Sequence, residues 1–440
     1  MLFLAVVIAY AMRVNMSMAI VAMTDSSNDN YFDWTIQTKS IILSSYFWGY
    51  IVLQIPSGEM AKRFGGMVLV ITILHRFHPL DVFLLITKFS GCRVIQGVTQ
   101  GFLYPSVHHL ISKWIPLEEK SSMSTLIYAG AQFGSALQLM VSGFIAEYWG
   151  WAAIFYVDGA LGAIWDIAYA LLGSDTPQTS RMISDEERLY IQTTLILQKL
   201  KTPWKALWTS LPFLSLIIAS CGFYWGFWTL MTEIPTYMKQ VMGVDIKSNG
   251  VISALPYITM YLMSFPFGFV TDYILKKEWL TITAARKLSN SIGHFGPAIM
   301  LIGLAYAPAG DIIVAIILLT LAVGINAGAY TGFLLVHLDM APNFAGTMMG
   351  ITNSISSLVS IMAPLAAGAI IKDETDALEW RKVFFISAAV YIACNLVYLI
   401  FGSSERQQWN EPKANDEKHY GKSIYTTNIN ESIYPQMALA

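Results

Sequence analysis

Long apolar stretches separated by short polar segments dominate the pattern of this chain. A stretch of about 20 apolar residues can cross a hydrocarbon core of about 30 Å as a helix, and twelve such stretches occur in the 440 residues. The pattern therefore predicts an all-α membrane protein with twelve transmembrane helices. The predicted spans are 1–23, 40–60, 67–86, 91–112, 123–146, 151–173, 210–238, 248–273, 287–307, 311–336, 344–371 and 381–402.

The longest polar interruption divides these spans six and six. We predict an N-terminal six-helix half at 1–173, a cytoplasmic linker at 174–209, a C-terminal six-helix half at 210–402 and a disordered cytoplasmic tail at 403–440. With both termini inside, the inner loops carry thirteen Lys and Arg residues against seven in the outer loops, as the positive-inside rule requires. The first span lacks a basic n-region, so we interpret it as a span and not as a signal peptide.

The two halves repeat each other. Pro56–Gly58 at the end of span 2 recurs as Pro266–Gly268 at the end of span 8, and Trp151 opens span 6 as Trp380 opens span 12. Chance similarity between apolar helices is the alternative explanation. Parallel six-helix repeats predict a substrate site at the midplane between the halves, open alternately to each side.

Composition supports a membrane protein and excludes several other classes. The chain is 55% apolar and only 13% charged, whereas soluble domains carry about 25% charged residues. Its net charge of −2 and the lack of a basic run argue against a nucleic-acid partner. Cys92, Cys221 and Cys394 all fall in apolar spans, which indicates buried thiols and no disulfide framework.

Two arginines lie inside predicted spans, and they point to an anionic ligand. A charged side chain costs roughly 2.5–3.5 kcal/mol at the membrane centre, so Arg13 and Arg93 should face the bundle interior. Arg93, Gln96 and Gln100 fall at i, i+3 and i+7 and share a helix face. A guanidinium matches phosphate or carboxylate with two parallel hydrogen bonds. Asn15 lies beside Arg13.

Several other candidates remain open on the residues alone. Arg13 could bind the anion or pair with Asp158 or Asp166 in span 6. Those two carboxylates and Glu233 in span 7 are candidates for binding a coupling cation. Trp225 and Tyr330 could line the cavity, although aromatic belts at membrane interfaces explain such residues equally well. His337 and Asp339 are two residues apart on a helix and point to different sides, so we predict no metal site.

Specific motifs now suggest a family. The segments Tyr10–Ser17, Phe47–Gly66, Arg93–Gly97 and His337–Pro342 resemble the anion:cation symporter family of the major facilitator superfamily. That family contains sialin, the vesicular glutamate transporters and the type I sodium-phosphate cotransporters, and the chain most resembles its insect-type inorganic phosphate cotransporters. The resemblance covers nearly the whole chain and implies the major facilitator fold of two six-helix repeats.

The resemblance also implies roles for particular residues. It implies that Arg93 binds the anion and that no cofactor is needed beyond a coupling ion. Proton-coupled relatives such as sialin have glutamates at the positions of Gln96 and Gln100, so the resemblance favours sodium over a proton, although Glu233 and Asp272 remain as alternative protonatable groups. Phe223 replaces an arginine of the vesicular glutamate transporters, which argues against glutamate. The inner latch between helices corresponds to Gly58, Lys62, Arg63, Gly268 and Asp272, with Lys62 replacing the usual acid.

We therefore predict a secondary transporter that moves inorganic phosphate with sodium at the plasma membrane. The alternatives are a proton-coupled carrier of sialate or acidic amino acids in lysosomes or vesicles, and a transport-inactive binding or regulatory membrane protein. The last is motivated by the polar run His75–Asp81 inside span 3, which predicts a gene-model error between about 74 and 90, as does the early start of span 1. No convergent set of nucleophile, base or metal ligands suggests an enzyme, and no obligate protein partner is evident.

Overall fold

The computed structural model describes residues 1–25, 32–64, 89–115, 120–180, 182–194, 202–308 and 310–410. Every regular element in these ranges is helical. The helices are α1 Leu2–Met23, α2 Ile36–Phe64, α3 Phe89–Gln100, α4 Leu103–Trp114, α5 Lys120–Trp149, α6 Trp151–Leu172, α7 Asp185–Thr194, α8 Trp204–Thr209, α9 Leu211–Gln240, α10 Ile246–Lys276, α11 Ile282–Ala305, α12 Ile312–Ile325, α13 Leu335–Met340, α14 Ala345–Ile370 and α15 Ala377–Phe401.

The predicted spans correspond closely to these helices. Within the described ranges, eight helical segments are long and apolar enough to cross a membrane. The spans predicted at 40–60, 91–112 and 123–146 are also helical, in α2, in α3 with α4, and in α5. The span predicted at 67–86, with its polar run, lies outside the described residues, as do tail residues 411–440. The division into two halves with a linker stays a prediction.

Short polar side chains fix where several C-terminal spans begin. Asp245, Thr281, Asp311 and Asp376 precede α10, α11, α12 and α15, and each side chain accepts a hydrogen bond from a backbone N–H of the first turn. Such caps satisfy donors that have no partner inside the helix.

Two helix pairs connect the first six spans to the last six. The helix α2 packs along α14 and α5 packs along α10. The contacts are close: a Cβ on Gly368 would lie 2.4 Å from Ser40 Oγ, and one on Gly250 would lie 2.8 Å from the Leu139 carbonyl oxygen. Since α2 is equivalent to α10 and α5 to α14 in the sequence repeat, the two contacts are related by the same pseudo-twofold operation.

The spans predicted at 91–112 and 311–336 are present, and each contains an interruption of its helix. A turn at Gly101 and Phe102 separates α3 from α4, and the chain between α12 and α13 passes through a π-turn at Tyr330–Leu334. Within that turn Gly332 has φ −82° and ψ −113°. A Cβ there would lie 2.7 Å from Cβ of Asn290 on α11. Discontinuous spans at equivalent positions of two repeats are typical of transporter binding sites.

Candidate functional site

Arg13 lies in a box of aromatic rings at the centre of the bundle. Its guanidinium carbon is 4.6 Å from the ring centroid of Tyr10, 5.0 Å from that of Tyr46 and 4.6 Å from that of Tyr50. Trp228 of α9 completes the box at 5.6 Å. The box therefore takes residues from α1 and α2 and from the second set of six spans. A guanidinium over aromatic faces gains cation–π attraction, which is largest where water is excluded.

The guanidinium of Arg13 has few hydrogen-bond acceptors. The side chain is only 4% exposed, and its one hydrogen bond to a described residue is a long one of 3.5 Å to Gln100 Oε1. The Tyr46 hydroxyl donates to the same oxygen at 2.7 Å, and Nε of Arg13 has no partner among the described residues. A guanidinium carries five N–H donors. Most of the donors of Arg13 are thus available to an anion.

Arg93 has a different environment. Its NH1 donates to Gln96 Oε1 at 2.6 Å and to the Met12 carbonyl oxygen at 3.4 Å, and its NH2 donates to the Arg13 carbonyl oxygen at 3.0 Å. Gln96 Nε2 also donates to the Met12 carbonyl oxygen, at 2.9 Å. These hydrogen bonds connect α3 to the backbone of α1 at Met12 and Arg13. The predicted contact of Arg93 and Gln96 with the anion stays a prediction.

A close helix crossing brings α2 and α3 to this position. A Cβ on Gly97 would lie 1.9 Å from the Tyr46 carbonyl oxygen, and one on Gly49 would lie 1.8 Å from the Val94 carbonyl oxygen. Only glycine at both positions permits this approach. The crossing places the Tyr46 ring 5.2 Å from the Arg93 guanidinium carbon, so one ring contacts both arginines.

Asn15 faces away from the box and toward Asp158. Its Nδ2 donates to Asp158 Oδ2 at 2.7 Å, and Gln138 Nε2 donates to the same oxygen at 2.8 Å. All three side chains are buried among α1, α5 and α6. The structure therefore gives Asp158 amide partners in place of the pairing with Arg13 that the sequence left open. Asp166, also predicted as a partner, is buried on α6.

Of the two predicted cavity aromatics, Tyr330 lies at the junction of the two sets of spans. Its hydroxyl accepts a hydrogen bond from Gln132 Nε2 of α5, and its ring packs against Phe223 at 5.7 Å between centroids. Trp225 is not one of the four aromatic residues around Arg13, whereas Trp228 is. Trp225 and Trp228 are three residues apart, and apolar periodicity alone does not select between them.

The structure describes the surroundings of only some of the predicted latch residues. The helix α2 extends through Gly58, Lys62 and Arg63, but their side chains lie outside the described part. A Cβ on Gly268 would meet none of the described residues within 4 Å, so no described helix approaches it closely. Asp272 is half-buried near Arg286, whose Nε donates to Asp339 Oδ2 at 2.8 Å. The latch role of these residues stays a prediction.

Sequence reasoning missed the aromatic stripe on α2. Tyr46, Tyr50 and Gln54 fall at i, i+4 and i+8 and so share one face, a spacing that could have identified them. Asn353 of α14 donates to the Tyr50 hydroxyl at 3.3 Å and to Gln54 Oε1 at 3.2 Å. The stripe thus forms one wall of the box and also contacts the opposite six spans. Among the described residues, no group of three or more His, Cys, Asp or Glu could hold a metal ion.

Buried polar groups, broken spans and two symmetry-related helix contacts are the features of a multi-pass membrane transporter. Residues 2–364 match the model of the Major Facilitator Superfamily, and the chain belongs to that superfamily. It is 39% identical to a "Putative inorganic phosphate cotransporter" of Drosophila ananassae, over 97% of this chain and 96% of the relative. It is 33% identical to human vesicular glutamate transporter 2 over 94% of this chain and 75% of the relative, and 32% identical to human sialin over 91% and 88%.

Solved structures share the same fold. A D-xylose-proton symporter superposes with a TM-score of 0.67 at 14% sequence identity, covering 92% of this chain and 99% of that one. A bacterial homologue of the human lysosomal transporter Spinster, inward-facing and occupied, superposes with a TM-score of 0.64 at 14% identity, covering 91% and 97%. The predicted fold and the anion:cation symporter relatives are therefore confirmed. The chain is an integral, multi-pass membrane transporter.

Proposed function

We propose that this transporter carries inorganic phosphate across the membrane by alternating access around the aromatic box. The observation that carries the proposal is the buried guanidinium of Arg13, which among the described residues has four aromatic neighbours and one long hydrogen bond. Relatives 39% identical over nearly the whole chain are described as phosphate cotransporters. Their likeness selects phosphate among the anions that a guanidinium binds.

The site supports an oxyanion on chemical grounds. A guanidinium stays charged at every relevant pH and presents paired donors that fit two oxygens of one anion. Arg13 has no ion pair within the described residues, so a bound anion would supply the opposite charge that a buried cation requires. The surrounding tyrosine rings exclude water, which strengthens the attraction between guanidinium and anion.

We propose sodium as the coupling cation. The helix α3 carries Gln96 and Gln100 at the positions where the family resemblance implies glutamates in proton-coupled relatives. An amide does not carry a proton. The second candidate is a proton-coupled carrier of organic anions such as sialate or acidic amino acids, and it is supported by the likeness to sialin and vesicular glutamate transporter 2. The plasma membrane fits the first function, and lysosomes or vesicles fit the second.

Radiolabelled phosphate uptake tests the proposal. Cells that display the chain at their surface should accumulate phosphate in sodium medium and lose this uptake when choline replaces sodium, at neutral and at mildly acidic pH. A matched Arg13→Gln variant with equal surface expression should take up much less phosphate than the wild type at the same phosphate concentration. Uptake of sialate but not phosphate would select the second candidate. Surface expression without uptake of either anion would favour the transport-inactive alternative.

A further inference from the structure

Glu233 is a buried carboxylate that the anion site does not use. It lies on α9, 4% exposed, and it lines a small cavity between α9, α12 and α15. Its one hydrogen bond with a described residue is donated by Thr232 Oγ1 to Oε1, at 3.3 Å. It makes no ion pair within the described residues. A buried carboxylate without a cationic partner is costly, so it either carries a bound cation or is protonated.

Two ion pairs join the two sets of spans at the outer end of the bundle. Lys39 Nζ at the start of α2 is 2.8 Å from Glu374 Oε2, which precedes α15. Lys239 Nζ near the end of α9 is 2.8 Å from Asp25 Oδ2, which follows α1. Because each pair bridges the first six spans and the last six, both pairs must break when the halves separate on the outer side.

Glu233 lies close to the better buried of these pairs. The Lys39 side chain is 7% exposed and that of Glu374 is 17% exposed, whereas Lys239 is 30% exposed. Both Lys39 and Glu374 lie within electrostatic range of Glu233. In a low dielectric such interactions are strong. An ionised Glu233 attracts Lys39 and repels Glu374, and a neutralised Glu233 does neither.

The remaining lining of the cavity contains few polar groups. Glu374 and Lys39 are the charged groups that face Glu233 from the neighbouring elements, and the rest of the wall is uncharged. That uncharged lining consists of Thr229, Leu230, Ile234, Tyr237, Leu319, Trp380, Val383 and Phe384. Among the described residues that line the cavity, Glu233 is the one carboxylate, so a single positive charge there neutralises it.

We propose that Glu233 is the site at which the driving monovalent cation binds, and that its occupancy controls the Lys39–Glu374 pair that closes the outer side. This inference rests on the proposed function as a cation-coupled anion carrier. Sodium and a proton share the required chemistry, because either one neutralises the carboxylate. An ionised Glu233 competes with Glu374 for Lys39, and a neutralised Glu233 leaves the outer pair intact.

Glu233→Gln in proteoliposomes separates coupling from anion movement. Phosphate inside and outside measures exchange, which needs no net cation movement, and phosphate outside alone measures uptake driven by a sodium or a proton gradient. We expect the variant to keep exchange and to lose stimulation by the gradient that drives the wild type. Glu233→Asp should keep stimulation, at a higher cation concentration. Asp158→Asn removes another buried carboxylate that was a candidate for the coupling cation, and it tests that alternative site: if Glu233 binds the cation, stimulation by the gradient should persist in this variant.

The outcomes judge the two proposals separately. Stimulation that persists in Glu233→Gln overturns the inference and leaves the proposed function standing. Loss of stimulation in Asp158→Asn but not in Glu233→Gln moves the cation to Asp158 and also overturns it. If the wild type exchanges phosphate but neither gradient stimulates its uptake, the inference is also overturned. A wild type without phosphate exchange contradicts the proposed function instead.

A measurement without phosphate tests Glu233 directly. The purified wild type and Glu233→Gln are unfolded by heat while sodium chloride replaces choline chloride, and separately while the pH is lowered. A cation that binds the folded protein raises its melting temperature. We expect one of these two changes to shift the wild type and not the variant, which identifies the cation. Equal responses of both proteins in both series would overturn the inference.

Discussion

The surroundings of Arg13 and of Arg93 are opposites, although both arginines are buried in apolar helices. Arg13 is enclosed by aromatic rings and has one long hydrogen bond to a described residue, while Arg93 donates to two backbone carbonyls and an amide oxygen. The first environment keeps donors available for a ligand, and the second uses them to hold two helices together. Buried charge in a membrane protein therefore marks the functional region, but its hydrogen-bond partners indicate which charge binds the ligand.

The largest effect is expected at Arg13. Arg13→Gln removes the charge that faces the anion, and a hydrogen bond to a charged group contributes about 1.5–3 kcal/mol. That loss corresponds to roughly a 10- to 150-fold weaker apparent phosphate affinity, and we expect the melting temperature to fall less than in Arg93→Gln because the one hydrogen bond lost with a described residue is long. Concentration-dependent phosphate exchange in proteoliposomes measures it. Wild-type affinity in this variant would refute the anion role.

At Arg93 we expect the opposite result, a larger loss of thermal stability than of phosphate affinity. Arg93→Gln removes three hydrogen bonds, one to Gln96 on the same helix and two to backbone carbonyls of α1. We therefore expect the purified variant to have a lower melting temperature than Arg13→Gln. The sequence alone predicts that Arg93→Gln abolishes uptake with expression intact, since it assigns this arginine to the anion. Melting temperature and phosphate exchange, measured for both variants, decide which arginine binds the anion. A stable Arg93→Gln protein without exchange would restore the sequence-based assignment.

The sequence identifies both arginines but does not rank them. Membrane cost places Arg13 and Arg93 in the interior, and the i, i+3, i+7 spacing places Gln96 and Gln100 on the face of Arg93. The ranking depends on the close crossing of α2 over α3 and on which carbonyls of α1 they approach. Those distances follow from packing between segments about 80 residues apart in sequence, which no local pattern contains. The breaks in spans 4 and 10 escape prediction for a related reason, since apolar residues continue through both.

A matched pair of tryptophans tests the aromatic box. Trp228→Leu removes a ring 5.6 Å from Arg13, and cation–π attraction of about 0.5–2 kcal/mol corresponds to roughly a 2- to 30-fold loss of apparent affinity. Trp225→Leu, three residues earlier on the same helix, should leave affinity unchanged. Phosphate exchange over a concentration series separates the two. An equal loss in both variants would place Trp225 in the site, as the sequence predicted.

The smallest effect is expected from Tyr46→Phe, which keeps the ring over Arg13 and removes the hydroxyl that donates to Gln100 Oε1 at 2.7 Å. With that donor gone, Gln100 Oε1 becomes a better acceptor for Arg13, now 3.5 Å away, and competes with the anion. One neutral hydrogen bond contributes about 1 kcal/mol, so we expect apparent phosphate affinity to fall by about fivefold at most.

Tyr50→Phe is the matched control for this last change. It also keeps a ring 4.6 Å from Arg13, but its hydroxyl contacts Asn353 at 3.3 Å, and Asn353 retains Gln54 as a partner. Apparent affinity should therefore stay at the wild-type value in Tyr50→Phe while it falls in Tyr46→Phe. A rise in affinity in Tyr46→Phe would mean that Gln100 assists the anion, because a freed Gln100 amide could then reorient toward it.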